Sequence, residues 1–351
     1  MFLFNKKKEL VGIDIGSTSV KLVQLKDLNG AWQLVAMGIA PLPPEAVVDN
    51  TILDRTAVVQ TLQRLTGSLG IKAKDVCCSI SGNSVIIRKI SLPAMPSDEL
   101  EDQIQWEAEQ YIPFEIRDVN LDFQILAPDA YDPSKMHVLL VASKKEIIND
   151  YVSLFGEAGM QLSVIDVDSF AVQNSFEINN ELNPGEVVAL INIGASIMSI
   201  NIVKDNVTLF TRDVQMGGNL YTEEIQRQLG ITGDEAESAK KLAADLGHDS
   251  LLQVIGRMNE NVALEIRRSL DYFNSTATDD RISRILFSGG GSMVHGLRES
   301  AGEKLGLPVG ELNPFARLLI SDKEFDPEYL KEMAPFMAVT VGLAIRRAGD
   351  K

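Results

Sequence analysis

Two short stretches of the chain repeat one pattern, and this repetition constrains the fold more than any other feature. Residues 11–25 read VGIDIGSTSVKLVQL, and residues 188–203 read VALINIGASIMSINIV. In each copy an apolar run is interrupted by a small polar turn that contains glycine and then resumes, which is typical of a β-hairpin. Asp14 of the first copy returns as Asn192 in the second. The repetition predicts a duplicated α/β chain whose halves leave a cleft between them.

Length and charge exclude several kinds of protein. The 351 residues, 45% of them hydrophobic, suffice for two halves with substantial cores. The formal net charge of −16 leaves no basic stripe that could follow a phosphate backbone, so we expect no nucleic-acid binding. The one dense basic run, KKK at 6–8 after MFLF, is too short for an amphipathic membrane element, and we expect no direct membrane insertion.

Cysteine usage and the order of the first residues indicate the cytoplasm. The two cysteines, Cys77 and Cys78, are adjacent in a strand-like stretch, where neighbouring side chains point to opposite faces and ordinarily do not pair. MFLF precedes the lysines, which is the reverse of the order in a secretory signal peptide. The apolar stretch 334–345 is too short to span a bilayer. We therefore expect a protein of a reducing compartment.

The element pattern divides the chain into an opening unit, an insertion and a second half. Residues up to 83 read as three strands, a helix and a strand, and residues 84–159 read as a compact α+β insertion. A strand returns at 160–168 and a helix follows it. Residues 188–333 repeat the theme of the opening unit, and the small residues of 334–345 predict a closing helix that packs tightly.

The two glycine turns suit a phosphate ligand. Gly16 can take a positive φ and lets a ligand approach the backbone, and Lys21 follows on the next strand. A plain hairpin turn uses the same residue types, so either turn alone is ambiguous. Two facing turns could hold a polyphosphate from both sides.

The residue that precedes each turn differs in charge. Asp14 ends an apolar strand, where a carboxylate is costly unless it is solvated or meets a cation, and magnesium held through water satisfies this. Asn192 can still donate and accept hydrogen bonds but cannot neutralise a metal or act as a base. A third motif, SGGGSM at 288–293, lets a flat ligand lie against the backbone near a helix start, although a plain loop explains it equally well.

Taken in order, these motifs resemble those of the actin-like ATPase superfamily. DIGSTSVK is similar to its first phosphate motif, NIGAS to its second and SGGGSM to its adenosine motif. The resemblance implies an α/β, actin-like (ribonuclease H-like) duplicated two-domain ATPase fold with an FtsA-type inserted α+β subdomain. It implies a first subdomain at 1–83, 160–187 and 334–351, an insertion at 84–159, and a second half at 188–333 with an inner subdomain at about 217–283.

Several longer stretches resemble the PilM family, the FtsA-like cytoplasmic proteins of type IV pilus assembly. They read WEAEQYIPFEI, SFAVQNSF, GGNLYTEEIQRQLG and DEAESAKK. The resemblance implies that the cleft binds ATP with Mg²⁺ and that a groove beside the insertion binds the N-terminal cytoplasmic segment of the inner-membrane protein PilN. The protein would then be cytoplasmic and peripheral to the inner membrane through PilN, and other pilus-assembly components and self-association stay open. The candidate groove elements are the helix 98–112 and the stretch 112–123, although packing of the helix on its own sheet explains its apolar residues equally well.

The resemblance also assigns roles to individual residues. Asp14 would face the magnesium, the two turns would hold the phosphates, and Glu237 and Lys240 would contact ribose and adenine, although a solvated helix face also explains that pair. The nucleotide-binding residues it implies are Asp14, Gly16, Ser17, Thr18, Ser19, Lys21, Asn192, Gly194, Ala195, Ser196, Gly217, Gly218, Glu237, Lys240, Gly289, Gly290, Ser292 and Met293.

Two departures from the superfamily pattern bear on the activity. Asn192 replaces the usual aspartate of the second phosphate motif, and Asp166 stands where active relatives place a Gln or Glu that positions water, with Asp168 as the alternative. An attacking water would have a poor base, so we expect ATP binding with slow or negligible hydrolysis. A small-molecule kinase and an FtsA-like filament protein are the alternatives. Asn192 disfavours the first, and the absence of an amphipathic helix after AGDK disfavours the second.

Overall fold

A computed structural model describes residues 10–48, 50–128, 132–277 and 280–350 of the chain. The basic run at 6–8 lies outside the described residues. Helices and strands are numbered separately in chain order. In the part of the chain that the structure describes, none of the helices has the length and hydrophobicity that a bilayer span requires.

The first half is built on a five-stranded sheet. Its central strand, β1, consists of buried apolar residues up to the point where Asp14 begins the polar turn. The strands are β1 (Val11–Ile15), β2 (Ser19–Leu28), β3 (Ala31–Pro41), β6 (Asp75–Ile80) and β10 (Gln161–Val167), with a short pair, β4 (Val47–Val48) and β5 (Thr51–Ile52), beside them. The helices are α1 (Arg55–Ser68), α3 (Lys145–Glu157) and α4 (Asp168–Asn179).

The insertion forms a separate three-stranded sheet with one helix on it. Its elements are β7 (Ile86–Pro93), α2 (Ser97–Ala108), β8 (Val119–Pro128) and β9 (Lys135–Lys144), and the strand order is β7-β9-β8. Leu100 and Ile104 of α2 pack on this sheet. Helix α3 falls within the range expected for the insertion, but its Leu154 and Phe155 belong to the core of the first half, because the apolar face of α3 points to that sheet.

The second half repeats the sheet and adds more helices. Its strands are β11 (Val187–Ile193), β12 (Met198–Lys204), β13 (Val207–Val214), β14 (Ile282–Ser288) and β15 (Val309–Glu311). The helices that follow β13 are α5 (Gly218–Leu229), α6 (Gly233–Lys241), α7 (Ala243–Leu246), α8 (Asp249–Thr276), α9 (Leu297–Leu305), α10 (Pro327–Met333) and α11 (Ala338–Ala344).

The two large sheets have one topology, which confirms the predicted duplication. The order β3-β2-β1-β6-β10 corresponds strand by strand to β13-β12-β11-β14-β15. In both sheets the hairpin is antiparallel and the next strand on the other side is parallel. The register places Asp14 opposite Lys21 and Asn192 opposite Ser199. The two turns are therefore equivalent positions of one repeated unit.

Helices α4 and α11 lie between the sheets and join the halves. One buried cluster combines Cys77 of the first sheet, Leu190 of the second, Phe176 of α4 and Leu343 of α11. Helix α11 is built almost entirely of small and β-branched residues, and its glycine, Gly342, lets it approach α4 at backbone distance. This close packing fixes the two sheets relative to each other, and with them the carboxyl ends of β1 and β11.

Candidate functional site

The two glycine turns have the same local geometry. Gly16 donates its N–H to the carbonyl of Ser19 at 3.0 Å, and Gly194 donates to the carbonyl of Ile197 at 2.8 Å. Each bond closes a tight turn at the carboxyl end of the central strand of its sheet. The remaining N–H groups and hydroxyls of the turns lie at the half-buried and exposed positions between these bonded residues. This arrangement suits an anion held between two concave backbone segments.

The first turn carries an ion pair that the second lacks. Lys21 Nζ donates to Asp14 Oδ2 at 2.7 Å, and each side chain is only 14% exposed. In the second hairpin the equivalent residues are Asn192 and Ser199, and Ser288 Oγ donates to Asn192 Oδ1 at 3.2 Å. The first hairpin therefore carries a charged pair at this position, and the second carries a neutral hydrogen bond.

Asp168 faces the first turn from the start of α4. The surrounding protein and the Asp14 carboxylate raise the pKa of Asp168 to about 6. The buried hydroxyl of Ser79 lies near this carboxyl, yet it makes no hydrogen bond of normal geometry to any described residue. Asp14 and Ser79 lie near the carboxyl ends of β1 and β6, and Asp168 directly follows the neighbouring strand β10. Two close carboxylates and an unsatisfied hydroxyl indicate a place for a cation and its water.

The structure places Asp166 and Asp168 in different surroundings. Asp166 is 8% exposed and its carboxylate lies 3.3 Å from Arg346 Nε, while Asn174 Nδ2 and the N–H of Val167 donate to it. Burial raises its pKa, and the Arg346 guanidinium opposes that rise. Asp166 is thus committed to a buried ion pair, and Asp168 is the acid that lies beside Asp14.

An ionised Asp168, buried beside the Asp14 carboxylate, should lower the stability of the ligand-free protein. A raised pKa means that Asp168 contributes stability below its unfolded pKa of 3.8 and loses that contribution as pH rises through about 6. Wild type should therefore lose roughly 1.5 kcal/mol relative to Asp168→Asn between about pH 5 and pH 8. Thermal unfolding of both proteins across that range measures the divergence. Asp322→Asn, on an exposed loop, is the control that should run parallel to wild type, and a parallel course for Asp168→Asn would contradict the assignment.

Helix α5 supports the second turn from behind. The N–H of Gly218 donates to Gly194 O at 2.9 Å, and that of Asn219 donates to Ala195 O at 2.8 Å. A Cβ on Gly217 would lie 2.4 Å from Ala195 O. Gly217, expected to line the cleft, is therefore required for the contact between α5 and the turn.

The predicted pair on α6 is held at the start of α5. Lys240 Nζ donates to the carbonyl of Gly218 at 3.0 Å and to Thr222 Oγ1 at 2.9 Å, and it pairs with the Glu237 carboxylate. Thr222 Oγ1 donates to the same carboxylate at 2.6 Å. Burial lowers the pKa of Lys240, and the Glu237 carboxylate opposes this effect. A Cβ on Gly218 would lie 3.8 Å from Cα of Gly291, so the pair is adjacent to the glycine loop.

The glycine loop after β14 closes onto the second turn. Gly289 has φ +83°, donates its N–H to Pro335 O at 2.7 Å, and has no room for a Cβ, which would lie 2.3 Å from Ile193 O. Gly290 packs on the Phe336 ring, and Ser292 Oγ donates to Gly289 O at 2.7 Å. Met293 stays 48% exposed. The structure thus brings the predicted residues of the second half together around one cleft edge.

The donor set fits magnesium contacted through water better than a chelated ion. Within the described ranges no three Asp, Glu, His or Cys side chains are close enough to hold a metal together. Asp14 and Asp168 provide carboxylates, and Ser79 provides an unsatisfied hydroxyl beside them. A hydrated divalent cation between these groups and a phosphate satisfies all three.

A separate groove of about 330 Å³ lies between the insertion and the first half. One wall is the outer strand β8 and the other is the outer strand β10. Leu121 and Asp122 lie on the β8 side, and Val152 and Leu162 line the opposite side. Of the two candidate elements for a partner groove, the 112–123 stretch therefore reaches it, whereas α2 packs on its own sheet.

The two duplicated sheets, helices α4 and α11 packed between them, and the separate three-stranded insertion define an actin-like fold with an FtsA-type insertion. The family model described as type IV pilus assembly protein PilM matches residues 12–348. The chain belongs to this family.

Individual relatives agree with that placement. A solved PilM-PilN type IV pilus biogenesis complex is 29% identical, with a TM-score of 0.87, and the match covers 97% of this chain and 98% of that one. The cell division protein FtsA of Bacillus subtilis is 23% identical over 267 residues, 70% of this chain, and the chain spans only 59% of that relative's length. The ethanolamine utilization protein EutJ of Carboxydothermus hydrogenoformans, at 15% identity and a TM-score of 0.61 over 96% of this chain, shares the fold.

Proposed function

We propose that this protein binds ATP with Mg²⁺ between its two glycine turns and serves type IV pilus assembly as an adaptor that holds the nucleotide. One observation carries the proposal: equivalent turns end the central strands of two equivalent sheets, and an acid pair with an unsatisfied Ser79 hydroxyl lies at only one of them. Membership of the PilM family supports the pilus role.

Each side of the cleft contributes a different part of the binding. Lys21 and the N–H groups around Ser17 would hold the terminal phosphates, and Asp14 and Asp168 would face the magnesium water shell. Gly194 to Ser196 would hold the phosphates from the other half, and Lys240 would meet the nucleoside. Magnesium, when bound, supplies the positive charge that lets phosphates and carboxylates share this space.

Slow hydrolysis follows from the asymmetry of the turns. Asp168 would be the carboxylate near an attacking water, and Asn192 offers an amide where a second acid would be needed. Abstraction of a proton from water would then lack a second charged group. ATP would therefore stay bound and be hydrolysed slowly. A small-molecule kinase would need an ionised base at the acceptor hydroxyl, and Asn192 does not supply one.

The groove between β8 and β10 is our proposed site for the N-terminal cytoplasmic segment of PilN. The strongly similar solved structure is a PilM-PilN complex. Both walls of the groove are outer strands, whose free edges can pair with an extended peptide while apolar residues such as Leu121 and Val152 receive alternate side chains. We propose that PilN holds the protein at the cytoplasmic face of the inner membrane in this way.

A charge placed in the groove should weaken peptide binding. Val152 is 49% exposed and lines the groove from α3, so Val152→Glu should raise the Kd for a synthetic PilN N-terminal peptide at least about tenfold by leaving a carboxylate desolvated against apolar side chains. Fluorescence anisotropy with and without Mg-ATP gives the Kd, and phosphate release is assayed in the same samples.

The matched control is Val35→Glu, at an equally exposed valine of β3 outside the groove, which should bind the peptide as wild type does. If wild type bound no peptide either with or without Mg-ATP, the proposed adaptor role would be wrong. If it hydrolysed ATP as fast as sugar kinases do, the proposed slow hydrolysis would be wrong.

A further inference from the structure

Besides the packing of α4 and α11, a short hydrogen bond joins a loop of the first half to a strand of the second half. Gly82, in the loop after β6, donates its N–H to Asp213 Oδ2 of β13 at 2.6 Å, and 131 residues separate the two along the chain. Gly82 belongs to the first half and Asp213 to the second. The donor is a main-chain group and the acceptor a carboxylate, which makes the bond a charge-assisted one.

The conformation of Gly82 makes this contact close. Its φ is +59°, in the left-handed region that favours glycine, and a Cβ there would lie 2.7 Å from Ile197 Cδ1. Ile197 closes the second glycine turn, because its carbonyl accepts from Gly194. Gly82 therefore contacts both the second sheet and the second turn.

The segment Ser79–Gly82, which runs from the end of β6 into the following loop, also lies beside the acid pair of the first half. It begins at Ser79 and passes through Ser81, whose Oγ accepts from Asn50 Nδ2 at 2.7 Å. Ser79 and Ser81 both lie near the Asp168 carboxyl, and the Asp213 carboxylate is close enough to act on it through space. Asp213 of the second half therefore lies near the surroundings of Asp168 and contacts the backbone beside them.

We propose that Asp213 is a positioning residue between the halves: by accepting the Gly82 N–H it holds the two halves closed and sets the Ser79–Gly82 segment beside Asp168. The proposal rests on the nucleotide-binding function proposed above only for its consequence, tighter binding of nucleotide by the closed form. The closure itself is a property of the ligand-free chain.

Three substitutions separate the hydrogen bond from the charge. Asp213→Ala removes both, Asp213→Asn keeps an oxygen acceptor without the charge, and Gly82→Ala disturbs the same contact from the donor side. Asp322→Ala, an exposed carboxylate elsewhere, is the matched control. Each protein also carries Lys72→Cys and Lys304→Cys, one exposed label site in each half, since Cys77 and Cys78 are fully buried and do not react.

Spin-label distance measurements without nucleotide are the primary readout. Wild type, Asp213→Asn and the control should give one distance, and Asp213→Ala and Gly82→Ala should each add a longer one. The double variant Asp213→Ala/Gly82→Ala should be no more open than the more open of the two single variants, because both substitutions break the same contact. Mg-ATP affinity should fall about tenfold in Asp213→Ala and be largely retained in Asp213→Asn.

An unchanged distance distribution in a folded Asp213→Ala protein, judged by its melting temperature, would overturn the proposal whatever its nucleotide affinity. Asp213→Asn opening as far as Asp213→Ala would also overturn it, because the acceptor is then irrelevant. If wild type bound no nucleotide, the distance measurement would still decide the closure, and only the proposed function would fail.

Discussion

Replacing Gly342 by alanine is expected to destabilise the protein by roughly 4 kcal/mol or more. A Cβ at this position would lie 1.7 Å from the carbonyl oxygen of Ala171 and 2.5 Å from its carbonyl carbon. Both atoms belong to the main chain of α4, so no side-chain rotation can relieve the overlap. Helices α11 and α4 would have to separate, which opens the apolar cluster that joins the two sheets.

Chemical denaturation followed by circular dichroism measures this effect. Gly256→Ala is the matched control, because Gly256 lies inside α8 and a Cβ there meets no atom within 4 Å. The same added methyl group should stabilise α8 by about 0.5 to 1 kcal/mol, since alanine is the better helix former. Equal effects of the two substitutions would show that α11 and α4 can separate at little cost.

Replacing Asp14 by asparagine is expected to remove most of the magnesium-dependent part of ATP binding. Asp14 is one of the two carboxylates that face the proposed cation, and the amide of asparagine can still accept from Lys21 while it carries no charge. Loss of a charged partner in a largely buried site costs about 3 kcal/mol, which is roughly a hundredfold in Kd. Binding without magnesium should change much less.

Isothermal titration calorimetry of ATP binding, once with magnesium and once with a chelator, separates the magnesium-dependent part of the affinity from the part that does not need magnesium. Asp54→Asn makes the same chemical change at the N-cap of α1, where asparagine caps as well as aspartate, and should bind Mg-ATP as wild type does. A full magnesium effect in Asp14→Asn would show that the cation binds elsewhere.

Several features could be predicted from the sequence because they depend on local pattern. The glycine turns were recognised from residue type and alternation, and the duplicated actin-like fold with its insertion is confirmed by the equivalent strand orders of the two sheets. In the second half the second glycine turn, the start of α5, Lys240 and the glycine loop lie against one another, because strand ends and helix starts meet at one edge of the sheet. The spacing of apolar residues along the chain is enough to predict these elements, because strands and helices each have a fixed repeat of side-chain direction.

Other features depend on atomic positions that residue pattern does not specify. Asp166 and Asp168 are two residues apart, and only the change from strand to helix at Asp168 decides which of them faces Asp14 and which pairs with Arg346. The sequence pattern does not single out Ser79 as a site residue, because a serine at a strand end is common. The contact between Gly82 and Asp213 joins residues 131 positions apart, and no local pattern links them.

The sequence by itself determined the repeated unit, its glycine turns and the loss of charge between Asp14 and Asn192, because each is a choice of residue type at a position set by hairpin register. The tertiary structure decided which acid lies beside Asp14, how closely α11 approaches α4, and where the halves touch. Those features depend on distances between segments far apart in the chain, which become defined only when the two sheets pack on the helices between them.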